Sequence, residues 1–79
     1  MTDEQFDVLT HLLRGTPESP ANRAARAVLV EGVAKADAAR ETGATRSTVH
    51  DAVKRYSEVD EMIRHAYLPE RGRSTRGKR

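Results

Sequence analysis

The chain contains no cysteine and no tryptophan, and its only aromatic residues are two tyrosines and one phenylalanine. Without cysteine there is no disulfide to staple the fold and no thiolate to hold a metal, and the absence suits a reducing compartment. Apolar runs are also missing. The longest, around Val28 to Val30 and Val33 to Ala34, fall far short of the roughly 20 residues that cross a bilayer. The opening Met1-Thr2-Asp3-Glu4 is acidic where an export leader would be basic, so a cytoplasmic protein is expected. The five glycines form no phosphate-cradling loop, and no serine sits in a nucleophile elbow. His11, His50 and His65 fall on three different predicted helices without a spaced carboxylate set. No catalytic residue, no metal and no cofactor is therefore expected.

What the chain has is charge. One third of its 79 residues are ionisable Asp, Glu, Lys or Arg, against 37% apolar, and this composition fits one small domain with a thin core. Such a core yields only a few kcal/mol of net stability, which makes pairing with a second copy the obvious supplement. The net charge of +2 is unevenly divided: Arg71, Arg73, Arg76, Lys78 and Arg79 oppose only Glu70, which leaves residues 1–69 net acidic. An acidic body with a basic end suggests a polyanionic partner. Residues 69–79, apolar nowhere, read as a disordered basic tail contributing phosphate contacts, and Arg71-Gly72-Arg73 resembles the centre of a minor-groove hook.

Helical signals fill residues 1–68, and no strand signal is present, so the predicted fold is an all-α compact bundle of about five helices. Thr2-Asp3-Glu4-Gln5 reads as a capping box opening a helix over about 3–14. Phe6, Leu9 and Leu13, with Val8 and Leu12 beside them, form its apolar side and leave Thr10 to solvent; Gly15 and Pro17 stop it. Ser19-Pro20 starts a second helix with Ala21, Ala24, Ala25, Val28 and Leu29 as its buried stripe, ending near Gly32. An alanine-rich helix follows from Val33 to Thr42, then Gly43, then a helix capped by Thr45 with Val49, Ala52, Val53 and Tyr56 facing inward. Ser57-Glu58-Val59-Asp60 reads as a further N-cap, predicting a break near Ser57 and a separate last helix over about 57–68.

Helix, tight glycine turn, helix over residues 35–54 satisfies the steric needs of a DNA-binding helix-turn-helix. Ala39 is small where the two helices cross, and Gly43 permits the positive φ of the turn. The face opposite Val49 and Val53 then presents Arg46, Ser47, His50 and Asp51 as candidate base contacts on a recognition helix over about 46–56. Arg46 is the strongest, because a guanidinium reaches guanine O6 and N7 together. Ser47 and His50 can donate or accept; Asp51 could accept from cytosine N4 or orient Arg46 or Arg55. Lys35, Thr45, Thr48, Lys54 and Arg55 are placed to touch the sugar-phosphate backbone, which sets register without reading sequence.

Three blocks of residues also resemble a family, the TrfB-type repressors exemplified by the KorA regulators of broad-host-range plasmids. Thr2-Asp-Glu-Gln-Phe6 is similar to its opening motif, Ala25-Arg-Ala-Val-Leu-Val-Glu-Gly32 to its second-helix signature, and Thr45-Arg46 through Ala52-Val-Lys-Arg55 to its recognition helix. The resemblance implies a homodimeric transcriptional repressor on a palindromic operator, with Arg46 and Asp51 at the family's base-contacting positions. Asp51 departs from the amide that family members carry there, so their operator sequence does not transfer.

Val59, Met62, Ile63, Ala66 and Tyr67 recur at spacings of three and four, and Tyr56/Ile63 and Val59/Ala66 at seven, as in a helix that pairs with its twin. They are the candidate dimer interface. Pairing there would set two recognition helices about 34 Å apart, one turn of B-DNA. The rival reading is a small protein-interaction module using the same Val59 to Tyr67 face, with the helical hairpin as scaffold. RNA is disfavoured, because Phe6, Tyr56 and Tyr67 lie on apolar helix faces and leave no stacking platform.

Overall fold

A computed structural model of the chain describes residues 1–67. It is all-α, with four helices: α1 (Asp3–Leu12), α2 (Pro20–Leu29), α3 (Lys35–Thr42) and α4 (Arg46–Tyr67). The basic segment 69–79 lies outside the described residues. None of the described helices is long and apolar enough to cross a membrane.

Local chemistry fixes the helix starts where the sequence signals them. Thr2 Oγ1 accepts from the Gln5 N–H at 3.1 Å while Gln5 Oε1 accepts from the Thr2 N–H at 2.9 Å, a reciprocal pair that satisfies two of the end donors. Ser19 Oγ accepts from the Asn22 N–H, with Pro20 in the first turn. Arg26 of α2 pairs with Asp3 and Asp7 of α1 and lies over the Phe6 ring, its guanidinium carbon 4.9 Å from the centroid. The carboxylates are largely exposed, so this clamp contributes at most about 1 kcal/mol per contact.

α2 is the hub: it packs against each of the other three helices, while α1 and α3 do not meet. Its buried side chains are mostly alanine (Ala24, Ala25 and Ala27), as are Ala38 and Ala39 on α3, and these short side chains let the helix backbones approach closely. The bulk that fills the remaining space comes from Phe6, Leu9, Val49, Val53 and Tyr56. Ala21, Val28 and Leu29, read as part of the buried stripe, are only half-buried.

The core also holds a polar cluster that the apolar periodicity does not reveal. Thr10, read as solvent-facing, is 6% exposed, and Asn22 is equally buried. Tyr56 stacks on Phe6, ring centroids 4.6 Å apart, and sends its hydroxyl between the two polar side chains. Each hydroxyl has one proton. Thr10 Oγ1 donates to the Phe6 carbonyl at 3.0 Å, so Tyr56 must donate to Thr10 at 2.9 Å, and Asn22 Nδ2 donates to Tyr56 at 2.7 Å. This ordered relay ties α1, α2 and α4 together. Gly15 closes over it: a Cβ there would meet the Tyr56 hydroxyl at 3.1 Å and Asn22 Nδ2 at 3.3 Å.

Three expectations about the outer helices change. α1 ends at Leu12, capped by Leu13, and Val8 and Leu12 are exposed. Their positions in the sequence fit the apolar side, but Thr10, not Val8, is rotated under α4. Second, there is no break at Ser57: α4 runs unbroken for 22 residues, so the bundle has four helices and the segment 57–67 is the distal half of α4. Ser57, Glu58 and Asp60 favour a helix start without forbidding continuation, no glycine or proline occurs between Gly43 and Pro69, and the Asp60–Arg64 pair at 2.8 Å spans the next turn. Third, His50 and His65 therefore share α4, fifteen residues or about 22 Å apart by helical rise.

Tyr56→Phe keeps the stacked ring but removes the 2.7 Å acceptor of Asn22 Nδ2, leaving that amide only its 3.4 Å contact with Thr10 Oγ1 in the core. We expect a loss of about 1–3 kcal/mol in urea unfolding with unchanged m-value. A loss under about 0.5 kcal/mol would show that the relay is not a source of stability.

Candidate nucleic-acid interface

The turn between α3 and α4 is three residues, 43–45, and its geometry follows from Gly43. Its φ is +82°, its N–H donates to the Ala39 carbonyl at 2.9 Å, and nothing lies within 4 Å of where a Cβ would sit. Glycine is needed there for backbone conformation and not for space. Ala39 and Val49 are buried on either side of the turn, at 6% and 0% exposure, which locks α3 against the first turns of α4.

Thr45 caps α4. Its Oγ1 accepts from the Thr48 N–H at 3.1 Å, its carbonyl accepts from the Val49 N–H, and its hydroxyl proton goes to Thr48 Oγ1 at 2.8 Å. Thr45 is thus spent on the cap, whereas Thr48 keeps its own proton to donate outward. With Val49, Val53 and Tyr56 turned into the core, Arg46, Ser47, His50, Asp51 and Lys54 share the exposed side of the helix, and Arg55 is exposed beside them. From Arg46 to Lys54 the helix rises about 12 Å, close to the width of the B-DNA major groove.

The hydrogen bonds of this face narrow what each side chain offers. Lys35, at the first position of α3, places Nζ 3.3 Å from His50 Nδ1. An ammonium only donates, so Nδ1 is the acceptor and the ring proton resides on Nε2, which makes His50 a donor toward an acceptor such as guanine N7. Lys35 therefore lies against α4 as well as at the edge of the motif. Among the described residues Asp51 pairs with neither Arg46 nor Arg55, which leaves its carboxylate as an open acceptor. Arg46 and Arg40 line one shallow depression with Ala36, Ala39, Ala44 and Thr45, and Arg40 is held by Asp37. Arg40 was absent from the sequence-based set; its place in the last turn of α3, three residues before the glycine, is the signal that puts it there.

Charge is polarised along α4. The half from 46 to 55 carries Arg46, Lys54 and Arg55 against Asp51, while the half from 56 to 67 carries Glu58, Asp60 and Glu61 against Arg64. α1, which carries the acids Asp3, Glu4 and Asp7, does not touch α3. One end of the long helix thus favours a polyanion and the other repels it.

The five residues of the apolar stripe divide. Val59 and Ile63 are partly buried against the chain's own core, whereas Met62, Ala66 and Tyr67 are exposed, Tyr67 at 80%. Phe6 and Tyr56 are buried, and Tyr67, on the stripe read as a dimer interface, is exposed in the single chain. No group of three or more His, Asp or Glu among the described residues could hold a metal ion.

No curated protein matches the chain, and no solved structure does. The family model described as TrfB plasmid transcriptional repressor matches residues 1–70, a span that takes in all four helices. The chain belongs to the TrfB plasmid transcriptional repressor family, and is a DNA-binding regulator rather than an enzyme.

Proposed function

We propose that the chain is a sequence-specific repressor that binds a palindromic operator as a homodimer, with the first half of α4 in the major groove of each half-site. The observation that carries this reading is the exposed face of Arg46, Ser47, His50 and Asp51 directly after the Gly43 turn, in a chain of a repressor family. Arg46 reads guanine through O6 and N7, His50 donates from Nε2, and Ser47 and Asp51 complete the base-facing set. Lys35, Thr45, Thr48, Lys54 and Arg55 fix the register on phosphates, Thr45 indirectly by holding the Thr48 hydroxyl. Occupancy of the operator then blocks polymerase.

The distal half of α4 supplies the dimer contact through Val59, Met62, Ile63, Ala66 and Tyr67. The dimensions fit. From residue 50, in the middle of the reading face, to Ile63 the helix rises about 20 Å, so two rods crossing near Ile63 place their reading faces at most about 39 Å apart. A separation of about 34 Å needs only a moderate inclination. A continuous α4 makes the half-site spacing a property of one rigid element, with no hinge at Ser57 to absorb error.

Two outcomes are expected. On an operator selected from a random duplex pool, Arg46→Ala loses about 1–3 kcal/mol in specific binding and far less on random DNA, measured by fluorescence anisotropy. Equal losses on both would reduce Arg46 to a phosphate contact. Met62→Asp, at a side chain 66% exposed and outside the core, leaves helicity intact but converts a micromolar dimer to monomer in sedimentation, with operator affinity down by about 100-fold or more. A monomeric variant with undiminished affinity would contradict the dimer model, and a wild-type monomer would do so sooner.

A further inference from the structure

Apart from Gly32 and Gly43, the described residues hold one residue in the left-handed backbone region, and it is an arginine: Arg14, φ +56°. It occupies the left-handed position of a Schellman cap. The Arg14 N–H donates to the His11 carbonyl at 3.2 Å and the Gly15 N–H to the Thr10 carbonyl at 2.9 Å, closing the end of α1. Glycine is the residue such a position favours, and any other side chain there costs stability. Yet the glycine of this turn comes one residue later, where a Cβ would crowd the Tyr56 hydroxyl at 3.1 Å. Fold stability thus explains Gly15 and argues against Arg14. A strained residue whose exposed side chain forms no ion pair among the described residues points to a partner outside them.

Its place says which partner. Leu13, Gly15 and Thr16, on either side of Arg14, line a groove of about 230 Å³ whose other wall is Asp51, Ala52 and Arg55 of α4. The loop over residues 13–19 therefore flanks the part of α4 that carries the reading face, on a separate element from Lys35 of α3. We infer that Arg14, exposed beside that cleft without lining it, is a further DNA-contacting residue: its guanidinium binds a phosphate of the strand that borders the groove entered by α4. This rests on the proposed DNA-binding mode and adds to it a contact from outside the helix-turn-helix.

The substitution Arg14→Gly separates function from fold, because glycine accepts the same backbone angle. The probes are the selected operator duplex and a random duplex, titrated between 50 and 200 mM salt with wild type, Arg14→Gly and Arg14→Lys, alongside thermal unfolding. Arg14→Gly is expected to melt at or above the wild-type temperature. Its log-log salt slope should be shallower by about 0.9, and its affinity about eightfold lower at 0.1 M salt, for each phosphate released, equally on both duplexes. Arg14→Lys should restore most of the slope. An Arg14→Gly slope equal to that of a steeply salt-dependent wild type would overturn the role of Arg14 while leaving the binding mode standing. A wild-type slope near zero would overturn both. A loss confined to the operator would make Arg14 a base reader and refute a phosphate contact.

Discussion

The structure depends on where Tyr56 is held. Its ring stacks on Phe6 and its hydroxyl sits between Thr10 and Asn22, so a point near the middle of α4 is fastened to both α1 and α2. Other core contacts of α4 are made by small or branched apolar side chains that specify burial without direction. The hydroxyl relay adds direction, because a donor chain running Asn22, Tyr56, Thr10, Phe6 carbonyl is satisfied in only one rotation of the helix. Fixing that rotation fixes which side chains of the first half of α4 face outward. The close fit of Gly15 over the same hydroxyl carries the constraint into the α1–α2 loop.

With α4 pinned at that point, its two ends do different things. The end near Gly43 is braced by α3 and shows water a row of polar and cationic groups. The far end extends toward Tyr67 with an acidic, partly apolar surface, on which Met62, Ala66 and Tyr67 are left exposed by the other described residues. In the proposed dimer, a rigid rod joining these ends couples half-site spacing to the angle at which two copies cross. The proposed binding mode then needs no conformational change within the described helices: the exposed face of α4 is already assembled, and the energy of ordering it has been met by folding.

Much of this was legible in the sequence because its signals were local. The Thr2 to Gln5 capping box, Ser19-Pro20 and the positive φ at Gly43 are each set by a few adjacent residues, and each appears where it was read. The outward placement of Arg46, Ser47, His50 and Asp51 followed from helical period alone once Val49 and Val53 were assigned to the core. What failed was long-range. Thr10 and Asn22 are buried because Tyr56, dozens of residues later, brings a hydrogen-bonding group to them, and no periodicity reports such a partner. Ser57-Glu58-Val59-Asp60 has the composition of a helix start, but nothing in it breaks a helix already under way. The left-handed Arg14 was hidden by Gly15, which a one-dimensional reading makes the natural turn residue.

The central claim is that the first half of α4 enters the wide groove of a duplex. Methylation interference on the selected operator tests it most directly, since dimethyl sulfate marks guanine N7 in the major groove and adenine N3 in the minor groove. The account requires blocked binding at guanine N7 positions in two symmetric clusters about one helical turn apart, with one guanine in each cluster losing its effect when Arg46 is replaced by alanine. Interference restricted to adenine N3, or none at either base, would contradict it.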